Sequence, residues 1–98
     1  MARLTWSEPA LRSLDAIADI ISLDKPQAAR NLVQRVFREV ERLVDFPNLG
    51  SRPKELPGTD YRHLVIVPVR VFYRKEGDNI LIVYVMRGEK LLQLSDLS

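Results

Sequence analysis

The sequence predicts an α+β domain of order β-α-α-β-β-β, a helical hairpin laid on a small antiparallel sheet. Two stretches, roughly Ser7 to Leu23 and Pro26 to Asp45, space their apolar residues as helices do. Two later stretches, Tyr61 to Lys75 and Ile80 to Met86, are instead rich in β-branched and aromatic residues. The chain has 98 residues, 46% hydrophobic and 29% charged. That length serves one core but not two, so residues 1–98 are expected to form a single domain.

Leu4-Thr5-Trp6 is short, apolar and β-prone, and reads as an edge strand. Ser7 can cap the first helix through its hydroxyl, with Glu8 complementing the helix dipole and Pro9 tolerated in the first turn. Leu11, Leu14, Ile17, Ala18 and Ile21 then hold one helical face. Asp24-Lys25-Pro26 ends this helix and begins the next, with Asp24 expected as the cap. Ala28, Leu32, Val36, Val40, Leu43 and Val44 form the second apolar stripe, and Pro47 bars continuation.

Residues 47–60 contain Pro47, Gly50, Pro53, Pro57 and Gly58 and read as a loop without a regular element. It is long for a compact domain, and such loops often carry function. Tyr61 to Lys75 reads as two strands bent at Pro68. Glu76-Gly77-Asp78-Asn79 is a turn, and Ile80 to Met86 is apolar enough for a central strand covered on both faces. The expected core is Leu14, Ile17, Ile21, Leu32, Val36, Val40, Val71, Ile82 and Tyr84. Beyond Arg87 a short helix and a loose tail both fit, and Leu91, Leu92, Leu94 and Leu97 either close the core or await a partner.

The chain has no cysteine, which removes disulfides, thiolate metal sites and cysteine nucleophiles. Its glycines are too dispersed for a phosphate-binding loop, and no serine sits in a nucleophile elbow. His63, the single histidine, has no cluster of acids around it in sequence, so packing is favoured over catalysis. Tyr61, Tyr73, Tyr84 and Trp6 likewise read as packing residues before ligand contacts. No cofactor and no metal is expected. No run is long and apolar enough for a signal peptide or a membrane span, so cytoplasm is the default.

Arginine is the remaining chemical signal. Net charge is only +2, but Arg52, Arg62, Arg70 and Arg74 recur in the third quarter, with Lys54 and Lys75 beside them and Arg87 further on. Alternation puts Arg70, Phe72 and Arg74 on one face of a strand and Val69, Val71 and Tyr73 on the other. One face is expected to meet the core and the other to offer guanidinium groups outward. Arg62, Arg70, Arg74 and Arg87 could hold phosphates bidentately. The alternative is that they pair with Glu76, Asp78, Glu89 or an acidic partner.

Several short motifs occur in a telling order: Trp6-Ser7-Glu8-Pro9-Ala10, Pro26-x-Ala28-Ala29, Phe46-Pro47-x-x-Gly50, Tyr61-Arg62-x-Leu64 and Val69-Arg70-Val71-Phe72-Tyr73-Arg74. Together, over residues 4 to about 87, they resemble the RelE/ParE toxin superfamily of bacterial toxin–antitoxin modules. The resemblance implies a growth-arresting, plasmid-stabilising toxin neutralised by a cognate antitoxin protein in a hetero-oligomer. RelE-like members cleave messenger RNA on the ribosome, and that likeness would make Arg62, Arg70 and Arg87 catalytic. ParE-like members inhibit DNA gyrase without being nucleases. The residues after Arg87 offer neither tyrosine nor histidine, and the paired helices with the Pro26-x-Ala28-Ala29 start look closer to ParE. A gyrase inhibitor is therefore expected, with Arg62, Arg70, Arg74, Arg87 and Lys90 contacting target or antitoxin. A non-toxic co-repressor that only binds the antitoxin is the third reading.

Overall fold

The fold is that of a computed structural model, which describes residues 3–88. Strand β1 (Arg3–Trp6) is followed by helices α1 (Glu8–Ser22) and α2 (Pro26–Glu41) and a single 3-10 turn at Arg42–Val44. Strands β2 (Arg62–Ile66), β3 (Val69–Glu76) and β4 (Asn79–Arg87) complete the order. The sheet runs β1-β4-β3-β2. β2, β3 and β4 form an antiparallel meander, while β1 lies beside β4 in parallel. Since β2 and β4 point the same way, this arrangement needs the long segment before β2 to return the chain to its starting end.

Ser7 caps α1 as its position suggests, its hydroxyl accepting from the Ala10 amide at 3.1 Å. Ser13, six residues after Ser7, accepts from the Val85 amide of β4 at 3.1 Å, which docks the helix on the central strand. Asp24 does not cap α2. Its amide and that of Lys25 both donate to the Ile21 carbonyl, so α1 is still being closed there. α2 therefore starts from Lys25, without a side-chain cap, and Pro26 removes one donor that would have needed a partner.

Between helices and sheet lie Ala10, Leu14 and Ile17 of α1, Leu32, Val36 and Val40 of α2, and Val69, Val71, Tyr73, Ile80, Ile82 and Val85 of the strands. Ile21 packs at the margin of this core. Tyr84 is not in it. Strict alternation from Ile80 would put Tyr84 beneath the helices, but the register shifts at Phe72/Tyr73, where Tyr73 pairs with Ile82 and Phe72 with Tyr84. Val83 is thereby left as an extra residue, and a bulge of one residue inverts the facing of everything after it. Tyr84 consequently joins Phe72, Met86, Tyr61 and Leu56 on the sheet's second face.

That second face is not open, contrary to the expected outward row of guanidinium groups. The segment between Pro47 and Tyr61 folds over it, with Leu56 buried against Phe72 and Met86. A single bridge, Ser51 to His63, ties this segment to the start of β2. On β4, Ile80, Ile82 and Val85 are buried against the helices and Met86 under the loop, while Leu81, Val83 and Tyr84 are half-buried.

Candidate functional site

Arg70 leaves β3 on the loop side of the sheet, where burial of Leu56 brings Glu55 opposite it. Arg70 Nη1 donates to Glu55 Oε2 at 2.6 Å and Nη2 donates to Oε1 at 2.8 Å. The third donor, Nε, reaches His63 Nδ1 at 3.1 Å. The guanidinium carbon sits 4.8 Å from the centroid of the Phe72 ring. Side-chain exposure is 10% for Arg70 and 12% for Glu55, so this is a dry, fork-to-fork ion pair, unlike a surface contact.

His63 completes the cluster. Its pKa is lowered from 6.5, first by burial and then by the Arg70 charge, with Glu55 opposing. A ring that accepts at Nδ1 and is neutral carries its proton on Nε2. The stability consequence has a definite sign. The unfolded chain takes up this proton first as pH falls through 6.5, so the fold loses stability below that value and keeps the full contribution above it. Melting curves from about pH 7.5 down to about pH 5 should show the loss. His63→Gln, which can still accept from Arg70 but does not titrate, should flatten that dependence. An unchanged pH profile in the variant would contradict the assignment.

The other arginines of the sheet do not join Arg70 in one surface. Arg74 shares its face, with Nη1 donating to the Tyr61 hydroxyl at 3.2 Å and Nη2 paired with Glu76 at 3.1 Å. Its buried Nε has no partner. Arg62 pairs in register with Tyr73, and Arg87 with Val69. Directly paired residues face the same side, so both belong to the helix side of the sheet. Arg62 Nη1 donates to the Gly50 carbonyl at 2.7 Å, and Arg87 is half-buried at the far end of β4. Lys90 and the terminal leucines lie outside the described residues.

Two further residues organise this region. The buried Tyr73 hydroxyl donates to the Pro47 carbonyl at 2.8 Å and accepts from the Gly50 amide at 2.9 Å, with burial pushing its pKa up. Gly50 has no room for a side chain, since a Cβ would stand 2.6 Å from the His63 carbonyl oxygen and 2.8 Å from the Tyr73 hydroxyl. Glu55, by contrast, is one carboxylate in a Pro- and Gly-rich loop, and nothing near it in sequence points to Arg70. Among the described residues no group of three or more His, Asp or Glu could hold a metal ion.

This arrangement of hairpin, sheet and loop can be set beside known proteins. A family model described as the ParE toxin of the type II toxin–antitoxin system parDE matches residues 4–92. The chain belongs to the ParE toxin family. A solved structure titled as the chromosomal ParDE toxin–antitoxin system from P. aeruginosa superimposes with a TM-score of 0.78 at 32% identity, covering 91% of this chain and 98% of that one. The putative toxin Y4kP of Sinorhizobium fredii is 36% identical over 76 residues, 78% of each chain. Toxin RelE2 of Caulobacter vibrioides is 33% identical over 79 residues, 79% of this chain and 85% of that one. The protein is thus the toxin of a type II module within the RelE/ParE superfamily, a class of toxin that pairs with an antitoxin. Among its described residues no helix is long and apolar enough to cross a membrane.

Proposed function

We propose that this ParE-family toxin inhibits DNA gyrase in the cytoplasm and is neutralised there by its cognate antitoxin in a hetero-oligomer. The observation that carries the reading is the closed state of Arg70. Messenger cleavage needs cations at the phosphate, a base for the 2′-hydroxyl and a donor to the leaving oxygen. Arg70, the cation that a RelE-like mechanism would use, is committed to Glu55 and His63. Arginine stays protonated and makes a poor base. His63 gives its free lone pair to Arg70, and the Tyr73 hydroxyl is held between two backbone groups. These commitments support a toxin that works by binding its target. Arg62, Arg74, Arg87 and Lys90 are the contact residues in this reading, and Arg70 holds the loop.

Induction of the chain in a bacterial host separates the readings. Growth should stop, plasmid should accumulate as relaxed topoisomers, messenger should stay intact by primer extension, and co-induction of the antitoxin should restore growth. Messenger cut at defined codons with normal supercoiling would overturn the proposal in favour of a ribonuclease. Unimpaired growth would overturn it in favour of a co-repressor.

A further inference from the structure

The cations on the loop side of the sheet each have a carboxylate, Glu55 for Arg70 and Glu76 for Arg74. A second group does not. Arg52, Arg62 and Lys75 line one cleft of about 320 Å³ together with Asn48, Asp60 and Tyr73. Arg52 also lines the neighbouring cleft, where Lys54 stands. The remaining ion pairs among the described residues are Arg12 with Glu8 and Arg42 with Glu39, both on the helices. Asp60 pairs with none of the cations beside it, and Lys54 and Lys75 are exposed with no partner among the described residues.

The two arginines are held in place without being neutralised. Arg52 Nη1 donates to the Thr59 carbonyl at 2.6 Å and Arg62 Nη1 to the Gly50 carbonyl at 2.7 Å. Each guanidinium has five N–H groups, so most remain for an oxyanion. We propose that Arg52, Arg62 and Lys75, continued by Lys54, bind the phosphodiester backbone of a nucleic acid. Cations shared between two adjoining clefts, two of them held by backbone carbonyls and two exposed, suit the repeated charges of a phosphate chain. An amphipathic acidic segment fits less well, because such a segment lays its apolar face into a hydrophobic groove. The Arg62 cleft has no aliphatic residue in its lining.

The test is fluorescence anisotropy of the full chain with a labelled duplex DNA and a labelled single-stranded RNA of the same sequence, across a salt series. Binding should weaken steeply with salt. Lys54→Glu with Lys75→Glu touches no bonded group, and should lower affinity about tenfold or more and reduce the salt slope by about two. Lys25→Glu with Arg38→Glu, an equal charge change at exposed helix positions, should change affinity by less than about threefold. Tighter binding of DNA or of RNA identifies which backbone the site serves, and either sustains the proposal. Equal loss in the two double variants, no binding by the wild type at low salt, or tighter binding of a glutamate-rich peptide than of either nucleic acid would overturn it. The measurement uses neither gyrase nor ribosomes, so its failure and that of the gyrase reading are distinguishable.

Discussion

Glu55→Ala should lower the stability of the toxin by about 3–5 kcal/mol, because removing one partner of a buried ion pair leaves the other charge desolvated without its carboxylate. In a domain of this size that corresponds to a fall in Tm of roughly 15–30 °C. Domains of this kind hold only about 5–15 kcal/mol in total, so the variant should lie near its unfolding threshold. His63 Nδ1 would remain as an acceptor for Arg70, but one neutral nitrogen cannot replace a bidentate carboxylate. The double variant Glu55→Leu with Arg70→Met should recover most of the loss, since apolar residues of similar volume often replace a buried pair at little cost. Thermal unfolding by circular dichroism checks both. A double variant as unstable as Glu55→Ala would mean that packing of the loop, and not the stranded charge, sets the effect.

Gly50→Ala should be comparably damaging, at about 2–4 kcal/mol, through overpacking and the loss of buried hydrogen bonds. The added methyl would meet the His63 carbonyl at 2.6 Å and the Tyr73 ring and hydroxyl at 2.8 Å. One of those obstacles is strand backbone and the other is the buried end of a fully packed tyrosine, so neither can yield cheaply. Moving Tyr73 would also strand the Gly50 amide and the Pro47 carbonyl. Tyr73→Phe isolates that second part, and should cost about 1–3 kcal/mol for the unpaired groups alone. Denaturant melts of the two variants compare them directly. A Gly50→Ala protein as stable as wild type would show that the loop is not seated on Tyr73 as described.

The helices were legible because their apolar residues keep a 3.6-residue period and their boundaries carry strong local signals, Ser7 and Pro9 at one start and Pro26 at the other. The strands of the meander were legible from composition and from the two-residue alternation of Val69 to Arg74. What local pattern could not supply was the bulge at Val83, a property of how β4 pairs with β3, and with it the true place of Tyr84. The parallel seat of β1 also depends on long-range pairing. The site was harder still. Arginines at strand spacing suggested one charged surface, but the pairing register sends Arg62 and Arg87 to the other side from Arg70 and Arg74. The match of Glu55 to Arg70 spans a loop whose path is set by burial of Leu56. Gly50 had a signal of its own in the Phe46-Pro47-x-x-Gly50 motif, although the reason for the glycine emerges only with Tyr73 packed against it.

ATP-dependent supercoiling of relaxed plasmid by purified gyrase tests the central claim most directly, with wild-type toxin and the Glu55→Leu with Arg70→Met variant titrated side by side. If the toxin works by binding gyrase and Arg70 serves only to hold the loop, both proteins should block supercoiling at similar concentrations. Supercoiling unaffected by the wild-type toxin would contradict gyrase as its target, and inhibition by wild type but not by a folded double variant would contradict the structural role of Arg70.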